Sequence, residues 1–180
     1  VQDCDQLHGL KHSQSRNSRR LLPALLTTQS AMNDFVYNNP VKIIFGRHAL
    51  EQVGEEAAKL GKKALLICGK SSLKSNGTFS LISETLEKSG VHIIEHSGVK
   101  PNPVLSFVHE GIAKVREHDC SMVIGAGGGS VMDTAKAVAS GIKVSHDVWK
   151  FFTGKKTVKD TLPVITIPTC AGTGSEVNSG

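Results

Sequence analysis

Four glycines in five positions, Gly125, Gly127, Gly128 and Gly129, sit inside "VIGAGGGSVMDTAKAVA", residues 123–139. An apolar run precedes them, and Ser130, Asp133 and Lys136 follow at helical spacing. Glycine lets a backbone turn tightly and lets a bulky anion approach its amides closely. A helix opening near Ser130 would aim unpaired N–H groups and a positive dipole end at that anion. Ser130 suits the N-cap, with Asp133 three residues later in a near capping-box arrangement. The run therefore reads as a cradle for a phosphate or pyrophosphate rather than as a bare strand–helix turn. No catalytic side chain accompanies it.

A second stretch, "IPTCAGTGSE" (167–176), offers hydroxyls at Thr169, Thr173 and Ser175 and open backbone at Gly172 and Gly174. It reads either as a second ligand-facing loop or as a polar turn. Two familiar phosphate motifs are excluded. The dinucleotide GxGxxG pattern needs glycine where Ser130 stands, and "GKSS" (69–72) lacks the glycine that a P-loop requires at Ala64.

The elements that position these loops alternate in type. Apolar runs at 41–45, 63–68, 91–96, 121–126 and 162–168 have the composition of buried strands. Helical spacing lies between them: Leu50, Val53, Ala57 and Leu60 within 47–60, and Phe79, Ile82 and Leu86 within 78–89. Gly90 suits the position just past the second helix. After the break "KPNP" (100–103), Val104, Val108, Ile112 and Val115 stripe a third helix, and 130–141 forms a fourth. Trp149, Phe151 and Phe152 are expected to anchor a short helix by core packing. Strands alternating with helices imply an α/β fold with a parallel sheet. Both glycine loops then fall at the carboxyl ends of strands, where open parallel sheets bind ligands.

Composition limits the alternatives. The 180-residue chain is 39% hydrophobic and only 4% aromatic, with a formal net charge of +5. Of that charge, +2 lies in residues 1–31, and no basic stripe with interleaved aromatics suggests nucleic acid. No apolar stretch approaches the ~18 residues of a membrane span. Cys4, Cys68, Cys120 and Cys170 have no paired spacing and read as reduced thiols of a cytoplasmic protein. The eight histidines, His8, His12, His48, His92, His96, His109, His118 and His146, form no ligand-like group, and most are expected at the surface. Residues 1–31 are expected to be a disordered leader or upstream sequence, with a transit peptide as the rival reading. Residues 32–180 are expected to be one domain, cut at its C-terminal end.

At this point the chain closely resembles the iron-containing (group III) alcohol dehydrogenases. "GAGGGSVMDTAKA" matches that family's GGGSxxDxAK signature, and "PTCAGTGSE" matches its PTTAGTGSE signature with Cys170 in place of a Thr. "KPNP" and "FG" (45–46) also occupy the family's usual places. The resemblance implies a Rossmann-like, parallel-sheet NAD(P)-binding domain over 32–180. It also implies a missing all-helical C-terminal domain that holds Fe2+ or Zn2+ through ligands beyond Gly180. No catalytic or metal-binding residue is then expected in this segment.

By position, the resemblance places Gly127, Gly128, Gly129, Ser130, Val131, Met132 and Asp133 along the pyrophosphate. Thr169, Cys170, Ala171, Gly172 and Thr173 would take the cofactor's other side, and Asn102 the adenosine half. Lys136 is open to two readings, a helix-surface ion pair with Asp133 or a functional role. Relatives preferring NAD often carry Asp at the end of the second strand, but here Gly69, Lys70, Ser71 and Ser72 follow that strand. Loss of a carboxylate with gain of a cation and hydroxyls suits a 2′-phosphate, so NADP is expected over NAD; helix capping is the alternative. The implied reaction is reversible hydride transfer between the nicotinamide and a small alcohol or aldehyde of the butanol type. A homodimer is implied for the full-length protein, with neither nucleic acid nor membrane as a partner. A dehydroquinate-synthase-like lyase and an inactive nucleotide-binding fragment are the competing readings.

Overall fold

Two apolar runs, "KALLIC" and "MVIGAG", build the centre of the molecule, and each is buried on both faces. The computed structural model describes Val36 and residues 38–178, so the expected leader at 1–31 lies outside the described residues. From Asn39 onward the chain forms one compact unit. Its sheet comprises β1 (Lys63–Cys68), β2 (His92–Ser97), β3 (Met122–Gly127) and β4 (Val164–Pro168). All pairings are parallel, in the order β2-β1-β3-β4. In register, Leu65 stands between Ile94 and Val123, and Ile124 pairs with Ile165.

The period of two along β1 sorts its side chains between two cores. Leu65 and Ile67 meet Val108, Ile112 and Val115 of α4 (Leu105–His118), and Ala135 and Val138 of α5 (Gly129–Gly141). Ala64, Leu66 and Cys68 face the opposite side, where Ala57 of α1 (Val53–Ala58) and Ile82 and Leu86 of α3 (Thr78–Lys88) close the second core. Leu65, Leu66, Ile67, Met122, Val123 and Ile124 are all fully buried. Burial of each such side chain larger than alanine contributes roughly 1.5–3 kcal/mol. Gly125 lets α5 lie close on β3, since a Cβ there would stand 2.8 Å from the Cβ of Ala135.

The connection from β1 runs through α2 (Ser72–Ser75) and α3 to β2, and α4 then returns past β1 to β3. Chain paths therefore leave the neighbouring strands β1 and β3 in opposite directions. A crevice opens outside their carboxyl ends at such a switch point. The glycine run lies there.

Three expectations need correction. Residues 41–45 are not a strand: no described backbone pairs with them, and Val41, Ile43 and Phe45 are 42%, 68% and 99% exposed. Their composition suits a strand, but a strand also needs a neighbour. The 47–60 helix is shorter, a 3-10 turn over Ala49–Gln52 running into α1, and Leu60 is exposed. Of the three aromatics in and around α6 (Trp149–Phe152), only Phe151 packs on a core; Trp149 and Phe152 stack on each other in the open. Most of the described histidines lie at the surface as expected, and His96 is the exception, buried against Phe107. No helix among the described residues is long and apolar enough to cross a membrane.

Candidate functional site

One residue, Gly128, separates the end of β3 from the start of α5. Gly127 turns the chain with φ +154°, a conformation that side-chain-bearing residues rarely adopt. Gly128 itself is extended, and its carbonyl accepts from the amides of Val131 (3.0 Å) and Met132 (3.2 Å). The earlier amides of Gly129 and Ser130 have no carbonyl within the helix to reach. A Cβ placed on Gly128 would meet no atom within 4 Å, so this face of the turn is open. Free amides beside an open cradle and a helix N-terminus fit an anion such as a pyrophosphate.

Two further loops converge on the turn. The amide of Asn102 donates to Ser130 Oγ at 3.0 Å, with Asn102 held at φ 63°. Ser130 is therefore not the N-cap: Gly128 takes that position without a side-chain bond, and the Ser130 hydroxyl ties down the 100–103 loop instead. On the other side, the Thr169 amide donates to the Gly127 carbonyl at 3.0 Å. Thr173 lies so close that a Cβ on Gly129 would fall 2.7–3.0 Å from its side chain. The two signature segments are thus in van der Waals contact, and Gly129 is required by that contact.

The expected site residues divide into three sets. Gly127, Gly128, Gly129, Ser130 and Asn102 come together around the turn, with Thr169 and Thr173 against it. Cys170, Ala171 and Gly172 are exposed between those two threonines, whereas the Ser175 hydroxyl group belongs to a buried residue. Val131 and Met132 are different: their side chains are buried at 6% and 0% exposure, so they pack α5 rather than face the crevice. Helical period puts them inward; only their amides belong to the turn. Asp133 is half-buried and stands 3.6 Å from Lys136 Nζ. At the end of β1, Gly69 is half-buried while Lys70 and Ser71 are exposed. A Cβ on Gly69 would meet only Ser72 Oγ, at 4.0 Å.

Charge near the strand ends is largely accounted for. Lys74 Nζ donates to Glu95 Oε1 at 2.5 Å, and that bond holds the Glu95 carboxyl below its ordinary value. Burial pushes the Cys68 thiol up, which keeps it protonated and inert at the end of β1. Lys70 and Lys100 remain exposed on the loops after β1 and β2 and favour an anionic ligand. A hollow of about 230 Å³ beside Lys100 has Gly98, Val99, Phe107 and Glu110 among its other lining residues and does not include the glycine turn. Among the described residues, no three His, Cys, Asp or Glu side chains gather to hold a metal ion. The turn itself offers backbone amides and hydroxyls, groups suited to a phosphate rather than to a metal ion.

Two features had no sequence signal: the Asn102–Ser130 bond and the reach of Lys136 to Asn178, 42 residues on. Neither follows from spacing within one element.

Comparison with known proteins agrees with this geometry. The family model for iron-containing alcohol dehydrogenase matches residues 40–180. A probable NADH-dependent butanol dehydrogenase 2 of Bacillus subtilis is 45% identical over 147 residues, 82% of this chain and 38% of that protein. The NADPH-dependent aldehyde reductase YqhD of Escherichia coli is 30% identical over 156 residues, 83% of this chain and 38% of its own. The crystal structure of NADH-dependent butanol dehydrogenase A from Thermotoga maritima superposes with a TM-score of 0.78 at 42% identity, covering 82% of this chain and 37% of that one. The chain thus spans about two-fifths of the length of these relatives. With both signature loops meeting at one parallel-sheet switch point, the chain belongs to the iron-containing alcohol dehydrogenases.

Proposed function

We propose that residues 39–178 form the dinucleotide-binding part of an NAD(P)-dependent alcohol dehydrogenase. The observation that carries this reading is the open face at Gly128 beside the free amides of Gly129 and Ser130. These amides bind the pyrophosphate, Asn102 borders the adenosine half, and the 169–173 stretch walls the other side. When bound, the nicotinamide supplies the chemistry by taking up or returning the hydride of a carbinol carbon. The chain's own share is binding, orientation and exclusion of water. Small primary alcohols and aldehydes are the substrate class, in line with the butanol dehydrogenases among the relatives. The lyase reading is disfavoured by the full-length match to "PTCAGTGSE".

Cofactor choice rests on the end of β1. Gly69, Lys70 and Ser71 leave no carboxylate to accept from a ribose 2′-OH, and offer a cation and a hydroxyl to a 2′-phosphate. The named relatives include both NADH-dependent and NADPH-dependent enzymes, so residues rather than kinship decide. Titration of the chain with NADPH and with NADH, followed by nicotinamide fluorescence, should give tighter binding of NADPH. Gly69→Asp, for which the structure has room, should reverse the order. Tighter NADH binding by the unsubstituted chain would overturn the NADP preference, and binding of neither would overturn the function.

A further inference from the structure

Lys136 lies on the second turn of α5, and its ammonium group does more than pair along the helix. The i,i+3 partner Asp133 is 3.6 Å away, whereas Asn178 Oδ1 is 2.5 Å away and the Asn178 carbonyl 3.3 Å. An ordinary surface pair would be satisfied by the nearby carboxylate. Here the shortest bond crosses to Asn178, two residues past the second signature. Only 20% of the Lys136 side chain is exposed.

The 169–178 loop is fixed at four points, one of them the Asn39 Nδ2 group donating to the Val177 carbonyl at 3.2 Å. Its start is bonded through the Thr169 amide to Gly127, and its middle rests Thr173 on Gly129. Its end is held by Lys136 through Asn178. Between the ties at Thr169 and Thr173, Cys170, Ala171 and Gly172 are exposed and make no core contact. Losing the Lys136 tie would detach Asn178 from α5, leave Val177 bonded to Asn39, and loosen the end of the loop enough to shift Thr173 on the glycine turn. The ammonium group also offsets the Asp133 carboxylate, which lies near a helix terminus meant for an anion.

We propose that Lys136 is a positioning residue for dinucleotide binding: its bond to Asn178 latches the 169–178 loop against α5 and so sets the second wall of the crevice. This rests on the cofactor reading above and names a determinant within it. Loss of a hydrogen bond to a charged group predicts about a tenfold weaker affinity for NADPH in Lys136→Met. Lys136→Arg, which keeps a cation and donors, should bind within about threefold of the unsubstituted chain. Asn178→Ala leaves the backbone carbonyl and should lose about threefold, and the double variant should fall no further than Lys136→Met alone.

The test is NADPH titration of these chains together with the rate at which a thiol reagent modifies Cys170, in a Cys4→Ser background. Cys68 and Cys120 are buried and serve as the internal control for unfolding. Weaker binding and faster Cys170 modification at an unchanged melting temperature, with binding and modification rate both restored by Arg, are the expected result. Affinity within twofold of the original in Lys136→Met, or multiplicative losses in the double variant, would overturn the latch. Weaker binding with an unchanged Cys170 rate would overturn it too, because the cation would then act by charge alone. Should Lys136→Met fail to fold, Asn178→Ala carries the same two readings. If the unsubstituted chain binds neither NADPH nor NADH, the cofactor reading itself has failed and the latch falls with it.

Discussion

Gly128 and Gly129 are adjacent and chemically identical, yet the structure gives them opposite reasons to lack a side chain. A methyl group on Gly129 would press into Thr173 at 2.7 Å, whereas one on Gly128 would meet nothing. Backbone conformation at Gly128, φ −81° and ψ −175°, is open to any residue. Gly128→Ala should therefore leave stability unchanged or raise it by about 0.4–1 kcal/mol, through lost freedom of the unfolded chain. Dinucleotide binding should nevertheless fall at least tenfold, since the methyl occupies the anion's approach. Gly129→Ala should weaken both. Melting curves paired with NADPH titrations separate the two cases, and a Gly128→Ala chain that binds normally would remove the anion from this face. The glycine run was legible in the sequence because nothing but a close approach or an unusual turn requires so many in a row. The inward direction of Val131 and Met132 was legible too, from the helical period, but the signature pattern drew them into the site as a block.

At the scale of elements, strands covered on both faces were the easiest to read. Residues 63–68 and 121–126 are apolar after a single polar first residue, and the structure moves their ends by at most one residue. Residues 41–45 have similar chemistry and form no strand, because pairing is a property of two segments and composition of one. The short helix α1 fails differently. Its spacing was read as one long helix, but the Gly61 turn at φ +153° stops it, and Gly54 fixes it against α3. A Cβ on Gly54 would stand 2.1 Å from the Thr85 carbonyl oxygen, a backbone atom with little room to yield. Gly54→Ala should cost about 2–3 kcal/mol by overpacking the α1–α3 contact. Urea unfolding measures it, and a loss below about 0.5 kcal/mol would mean the two helices separate without strain.

For the molecule as a whole, His96 links the fold to pH. It lies on β2, 3% exposed, stacked on the Phe107 ring at 3.8 Å and bonded through Nε2 to the Phe107 carbonyl at 3.0 Å. A carbonyl accepts, so Nε2 carries the proton in the neutral ring. Burial holds its pKa below the ordinary 6.5; Lys114 lowers it further, while the Phe107 bond and Glu110 oppose the shift. The unfolded chain therefore binds a proton more readily than the folded one. Stability from this group is complete well above pH 6.5 and declines as pH falls below it, levelling off beneath the folded pKa. The shifted carboxylates of Glu56, Glu95 and Asp147 act later, since their depressed values matter only as pH falls below the ordinary 4.5 or 3.8. His48 has the opposite sign, raised by Glu51, but it is fully exposed and its pair is screened. Melting temperature should thus begin to fall between pH 7 and 5.5, before any carboxylate contributes. His96→Gln keeps a donor for the Phe107 carbonyl without titrating there, so it should lower stability at pH 8 yet flatten the slope between pH 7 and 5.5. An unaltered slope in that variant would place the acid sensitivity elsewhere. The sequence showed eight scattered histidines and no reason to single this one out, because burial at position 96 depends on α4 crossing β2, a relation between elements that no single stretch contains.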